Sequence, residues 1–116
     1  MSAIASESDG SILIIRFTDS RILEESKIRQ AGDEMIALLD RTRAESVLLD
    51  LHGVGFMSSA MLGTLIRFHK KCKEYKVELR LCDIAPEILQ VFKLTRLDKV
   101  FAIHADRTSA RASFGI

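Results

Sequence analysis

The chain has 116 residues, 47% hydrophobic and 28% charged, with seventeen basic residues against sixteen acidic ones and a formal net charge of +1. That is the length of one domain, with enough apolar side chain for one compact core, which argues against a disordered chain. The near-neutral balance argues against non-specific nucleic-acid binding or an anionic membrane surface as the main partner, and a composition with no tryptophan and one tyrosine excludes an aromatic stacking platform for single strands.

Residues 1–10 are polar and mildly acidic, with no basic stretch running into an apolar one, so they do not read as a secretory signal. They are expected to be a flexible lead-in to a single domain over 11–116. No apolar run approaches the roughly 18 residues that a membrane span needs. Cys72 and Cys82 form no CxxC and no ligand pattern with the three histidines, and read as reduced, buried thiols in a cytoplasmic protein. One proline and six glycines leave few breakers, so the regular elements should be long.

Ser11 to Phe17 is a β-branched apolar run and predicts a strand. Thr18 to Arg21 is turn chemistry. From about Glu24 the pattern becomes helical, with Ile28, Ala31, Met35, Leu38 and Leu39 on one face and Glu24 and Glu25 at the positive end of the helix dipole. Ser46 to Leu51 reads as a second strand, apolar on both faces except at Asp50, as a central parallel strand should be. His52 to Met57 is a loop with two glycines. Ser58 or Ser59 then starts a second helix carrying Leu62, Leu65, Phe68 and Cys72, with Lys70, Lys71 and Lys73 near its C-terminal end. Val77 to Cys82 alternates as a third strand. Pro86 suits the first turn of a third helix with Ile88, Leu89 and Phe92 on its apolar face. Val100 to Ile103 is a short fourth strand, and Asp106 is placed to cap a terminal helix running towards Phe114. Strands alternating with helices predict an α/β sandwich: a mostly parallel sheet of four to five strands, with the helices mainly on one face.

Enzyme signatures are weak. Gly55-Phe-Met-Ser58-Ser59 lies in a strand–loop–helix context, but its spacing is not GxSxG and no glycine follows the serines. Gly53-Val-Gly55 is only the beginning of a dinucleotide fingerprint. No His, Cys, Asp or Glu spacing points to a metal. What remains is the pair Ser58 and Ser59 at a predicted helix start. One serine suffices for an N-cap; the second is spare, with Phe56, Met57 and Met61 around it as an expected apolar rim. Asp50 and Gly53 are assigned to structure, and Arg41, Arg43, Arg107 and Arg111 to solvated charge.

The run Val47 to Leu65, with Asp50, Gly53 and the Ser58-Ser59-Ala60-Met61-Leu62-Gly63 segment, resembles the central motif of STAS domains, the sulfate transporter and anti-sigma factor antagonist domains. In that family an apolar-Asp-apolar strand end and a glycine-containing loop lead into Asp-Ser-Ser-Gly-Leu-Gly at a helix start. Further matches follow in order. Ile22-Leu23-Glu24 resembles the leucine-aspartate step before the first helix. Ala85-Pro86-Glu87 resembles a serine-proline-glutamate helix start. Leu94 to Phe101 resembles a segment that usually reads leucine-threonine-glycine-leucine-aspartate. The resemblance covers roughly Ser11 to Ile103. It implies a mixed sheet with helices mainly on one face.

It also implies a non-enzymatic function without a cofactor: an anti-sigma factor antagonist. Such a protein binds an anti-sigma factor that is also a serine kinase of the histidine-kinase-like ATPase fold. The kinase phosphorylates a motif serine and ends binding; a serine phosphatase restores it. Carried over residue by residue, the phosphorylated serine is Ser59. Ser58 stands for the aspartate, Ala60 for the second serine and Met61 for the first glycine. The expected partner-binding residues are Leu23, Glu24, Met57, Ser58, Met61 and Leu62. The alternative is a non-phosphorylated subunit of a lipid-transport ATPase complex or of a stress-signalling scaffold, which the changes at Ser58 and Met61 slightly favour.

Overall fold

The computed structural model describes residues 2–115. In chain order they form β1 (Ile4–Asp9), β2 (Ile12–Phe17), β3 (Arg21–Ile22), α1 (Glu25–Thr42), β4 (Ser46–Asp50), β5 (Phe56–Met57), α2 (Ser59–Glu74), β6 (Glu78–Cys82), α3 (Pro86–Leu94), a 3-10 turn (Leu97–Lys99), β7 (Ala102–His104) and α4 (Arg107–Ala112). Five strands make one sheet in the order β1-β2-β4-β6-β7, and β3 and β5 pair separately. From β2 to β7 all neighbours are parallel, while β1 runs antiparallel to β2. The sheet is therefore mixed, though mostly parallel.

The flexible lead-in is corrected. Residues 4–9 are the edge strand β1, in register from Ile4 opposite Phe17 to Asp9 opposite Ile12. Gly10 makes the turn with φ of +62°, a conformation that suits a residue without a Cβ. Apolar patterning is silent here because an edge strand is held by its backbone ladder, and only Ile4 is buried. The Asp9-Gly10 pair before an apolar strand was the readable hairpin signal.

Alternation along the inner strands divides the apolar residues between two clusters. Leu13, Ile15, Val47 and Leu49 face the main core beneath α1, α2 and α3. Ile12, Ile14 and Leu48 face the opposite side with Cys82, beneath α4. The expected crowding of helices on one face is present. Helices α1 and α2 bury the residues that the periodicity selected, and α2 buries Met61 as well. The two helices meet at Gly32, where a Cβ would stand 2.9 Å from Thr64 Cγ2. That close approach requires a bare backbone.

The fourth strand is displaced from its expected place at Val100–Ile103 to Ala102–His104. Leu97–Lys99 tightens into the 3-10 turn, Val100 stays exposed, and Phe101 enters the core with its ring centroid 5.8 Å from that of Phe92. Arg96, where the resemblance has glycine, lies in the left-handed region at φ of +63°. The backbone demand that explains that glycine is thus still present.

Candidate functional site at the start of the second helix

The site is built from the C-terminal end of β4 onward. Asp50 is buried, and both its carboxylate oxygens are engaged. Oδ1 accepts the backbone N–H of His52 at 2.9 Å, and Oδ2 accepts Nη2 of Arg107 at 2.9 Å. Gly53 then turns the chain at φ of +86°, and the Val54 N–H donates to the Leu51 carbonyl at 3.0 Å. The loop is next tied to the segment before α1. The N–H groups of Gly55 and Phe56 donate to the Ser20 carbonyl at 2.8 and 3.3 Å, and β5 pairs parallel with β3, Phe56 with Arg21 and Met57 with Ile22. The Arg21 guanidinium lies 5.1 Å from the Phe56 ring centroid. This two-stranded sheet brings Leu23 and Glu24 to the same end of the molecule as Ser58 and Ser59, although more than thirty residues separate them in sequence.

Ser58 is the N-cap of α2. Its backbone is extended, and its Oγ accepts the Met61 N–H at 3.2 Å. Serine and aspartate cap about equally well, so this role survives where the resemblance has aspartate. Ser59 is the first helical residue. It is exposed, and its hydroxyl makes no hydrogen bond among the described residues. Ala60 and Gly63 are exposed beside it, so the helix presents a low surface there. Ser58→Ala should lower stability by about 1 kcal/mol in urea denaturation through loss of the cap. An unchanged midpoint would show that the Ser58 hydroxyl is not the cap.

The expected apolar rim is corrected in part. Met61 is 0% exposed and joins Leu65, Phe68 and Cys72 along the buried stripe of α2. Its i+4, i+7 and i+11 spacing to those residues was the readable signal, and its burial leaves it nothing to offer a partner. Met57 and Leu62 are largely buried and reach the surface only as the floor of a shallow groove of about 150 Å³. The exposed apolar groups of the rim and groove are Leu23 at 48%, the expected rim residue Phe56 at 39% and, unanticipated, Val91 at 38%. Val91, Ile88 and Glu87 of α3 form the far wall of the groove. No local pattern links α3 to residues 55–57, and only the crossover brings them together.

Two arginines read as solvated charge are also corrected. Arg107 spans Glu7 and Asp50, with Nη1 donating to Glu7 Oε1 at 3.0 Å, and Arg111 Nε donates to Asp9 Oδ2 at 2.6 Å. The hydrogen bond with Asp50 raises the Arg107 pKa further above its ordinary value, and the bond with Arg111 lowers that of Asp9. Asp50, Cys82 and Asp83 place oxygen and sulfur atoms within 4.8 Å of one another. Burial, with the charges of Asp50 and Asp83, pushes the Cys82 thiol up to about 12, and both Asp50 oxygens are already engaged. This cluster is a protonated thiol beside a structural ion pair.

A family model described as the STAS domain matches residues 3–110. The chain belongs to the STAS-domain family. An anti-sigma F factor antagonist of Paenibacillus polymyxa is 26% identical over 100 residues, which cover 85% of this chain and 83% of that one. The solved structure of an anti-sigma-factor antagonist STAS domain protein from Planctomyces limnophilus superposes with a TM-score of 0.84 at 26% identity, covering 97% of this chain and 98% of that one. The phosphorylated form of the Bacillus cell fate determinant SpoIIAA shares the fold, with a TM-score of 0.71 at 13% identity over 96% of this chain and 99% of that one. STAS proteins of the anti-sigma factor antagonist type are non-enzymatic regulators. Among the described residues of this STAS domain, no helix is long and apolar enough to cross a membrane.

Proposed function

We propose that this STAS domain is a cytoplasmic anti-sigma factor antagonist, switched off by phosphorylation of Ser59. The observation that carries the reading is the division of labour at the start of α2. Ser58 supplies the cap, which leaves the Ser59 hydroxyl exposed and unengaged among the described residues. The names of the Paenibacillus and Planctomyces relatives support the antagonist role, and the phosphorylated state of SpoIIAA supports a switch on this fold.

The partner is an anti-sigma factor that is also a serine kinase of the histidine-kinase-like ATPase fold, and a serine phosphatase reverses the modification. The contact face comprises Leu23, Glu24, Ser58, Ser59 and Phe56, with the groove floored by Met57 and Leu62 continuing it. Phosphate would add roughly −1.5 to −2 charges at Ser59. Free N–H groups and the helix dipole tolerate that charge, so the fold persists. A partner surface packed over Leu23 and Phe56 does not tolerate it, because a hydrated dianion would be buried unpaired.

The test is intact-mass measurement and peptide mapping of the protein purified from its native host, in growth and in stress. The expected result is a one-phosphate shift localised to Ser59. A chain unmodified in every condition would overturn the switch and leave a constitutive scaffold or transport subunit.

A further inference from the structure

Helix α4 closes the smaller apolar cluster, setting Ala110 against Ile12, Ile14, Leu48 and Cys82. Six residues are too few for a helix to persist by its own hydrogen bonds. Charged contacts hold it down. Arg107 reaches Glu7 on β1 and Asp50 on β4, and Arg111 reaches Asp9 on β1. Both arginine side chains are partly exposed, whereas that of Asp50 is almost wholly buried. Asp50 faces two ways. One oxygen holds Arg107, and the other holds the His52 N–H, one of the hydrogen bonds that fix the start of the loop leading to Ser58.

We infer that α4 is a strap latched by Arg107 and Arg111, and that Arg107, acting through Asp50, is a positioning residue for the loop that presents Ser59. This goes beyond the antagonist reading and does not rest on it, because it concerns the loop whatever binds there. With the latch open, the Asp50 carboxylate has no cation and turns towards water, so the His52 N–H is released. The loop over residues 51–57 loosens, and the Cys82 thiol beneath α4 becomes reachable.

The two buried cysteines report the two events separately, because Cys72 lies in the main core and Cys82 under the strap. The experiment is iodoacetamide labelling at mildly alkaline pH, mapped by mass spectrometry, with amide exchange followed over residues 51–57. In Arg107→Gln, Cys82 labelling should rise about tenfold with Cys72 nearly unchanged, and exchange over 51–57 should quicken about fivefold while α1 stays protected. The wild-type chain in about 1 M NaCl, where the screening length falls to roughly 3 Å, should move the same way but less, through the exposed Arg107–Glu7 and Arg111–Asp9 pairs. Equal gains at both cysteines would mean global loosening and overturn the strap. Faster Cys82 labelling with unchanged exchange over 51–57 would overturn the positioning role. No change in either would overturn both.

Discussion

Ser59→Glu should weaken binding to the anti-sigma partner by about 100-fold, or roughly 2.7 kcal/mol, while leaving the urea midpoint close to wild type. The two halves of that expectation have separate physical causes. Ser59 is exposed and makes no hydrogen bond among the described residues, so replacing it removes nothing from the fold, and a carboxylate in the first turn of α2 is favourable to the helix dipole by about 0.3–1 kcal/mol. On the partner side the same carboxylate stands beside the low surface of Ala60 and Gly63, on the face proposed for the partner, where docking would strip its water. Glutamate carries one charge and phosphate nearly two, so the phosphorylated chain should bind more weakly still. Ser59→Ala should bind as wild type does and no longer respond to the kinase. Titration calorimetry with the partner decides the matter: a Ser59→Glu protein with wild-type affinity would sink the proposed switch.

Met61→Gly, which restores the glycine of the family motif, should destabilise this chain by about 3–5 kcal/mol. Emptying a fully buried methionine site costs about 2–5 kcal/mol, because the core collapses only partly around the space left behind. A glycine inside the first turns of the helix adds roughly 0.5–1 kcal/mol of backbone entropy. Domains of this size have about 5–15 kcal/mol in total, so the variant should unfold at a markedly lower urea concentration. Met61→Leu should cost less than about 1.5 kcal/mol, since volume and apolarity are nearly kept. If Met61→Gly and wild type unfold together, Met61 does not fill the core. The two helix-start positions should therefore contrast: at 59 a charge is expected to alter recognition with little effect on stability, and at 61 a glycine is expected to do the reverse.

Much of this protein was legible along the chain. The runs that became β2 and β4 stood out because strands buried on both faces are nearly continuously apolar, and β6 stood out by its alternation. The periodicity that became α1 and most of α2 stood out because each helix buries one stripe. That a serine at 58 or 59 caps α2, and that Asp106 caps α4, followed from residue type at a helix start; the structure assigned the first cap to Ser58. The paired serines, with one spare, could also be read from order alone. These are local matters, settled within a few residues by propensity, burial pattern and hydrogen-bond accounting.

The rest required the chain to close on itself. β1 is mostly polar and held by its partner's backbone, so apart from the Asp9-Gly10 turn pair no side-chain pattern marks it. The helical spacing of Met61 pointed to the core and its place beside the spare serine pointed to a rim, and the sheet beneath α2 decided for the core. Phe56 and Val91 lie along one groove because the β3–β5 pair and the crossover to α3 put them there. Arg107 is a solvated charge in the sequence and the partner of a buried carboxylate in the fold, across 57 residues of chain. The sequence by itself determined the inner strands β2, β4 and β6 and the helices, and that one of two serines at the start of the second helix is spare. Tertiary structure alone decided which apolar side chains remain for a partner and which charges are committed to the fold, because burial and ion pairing depend on which surfaces meet.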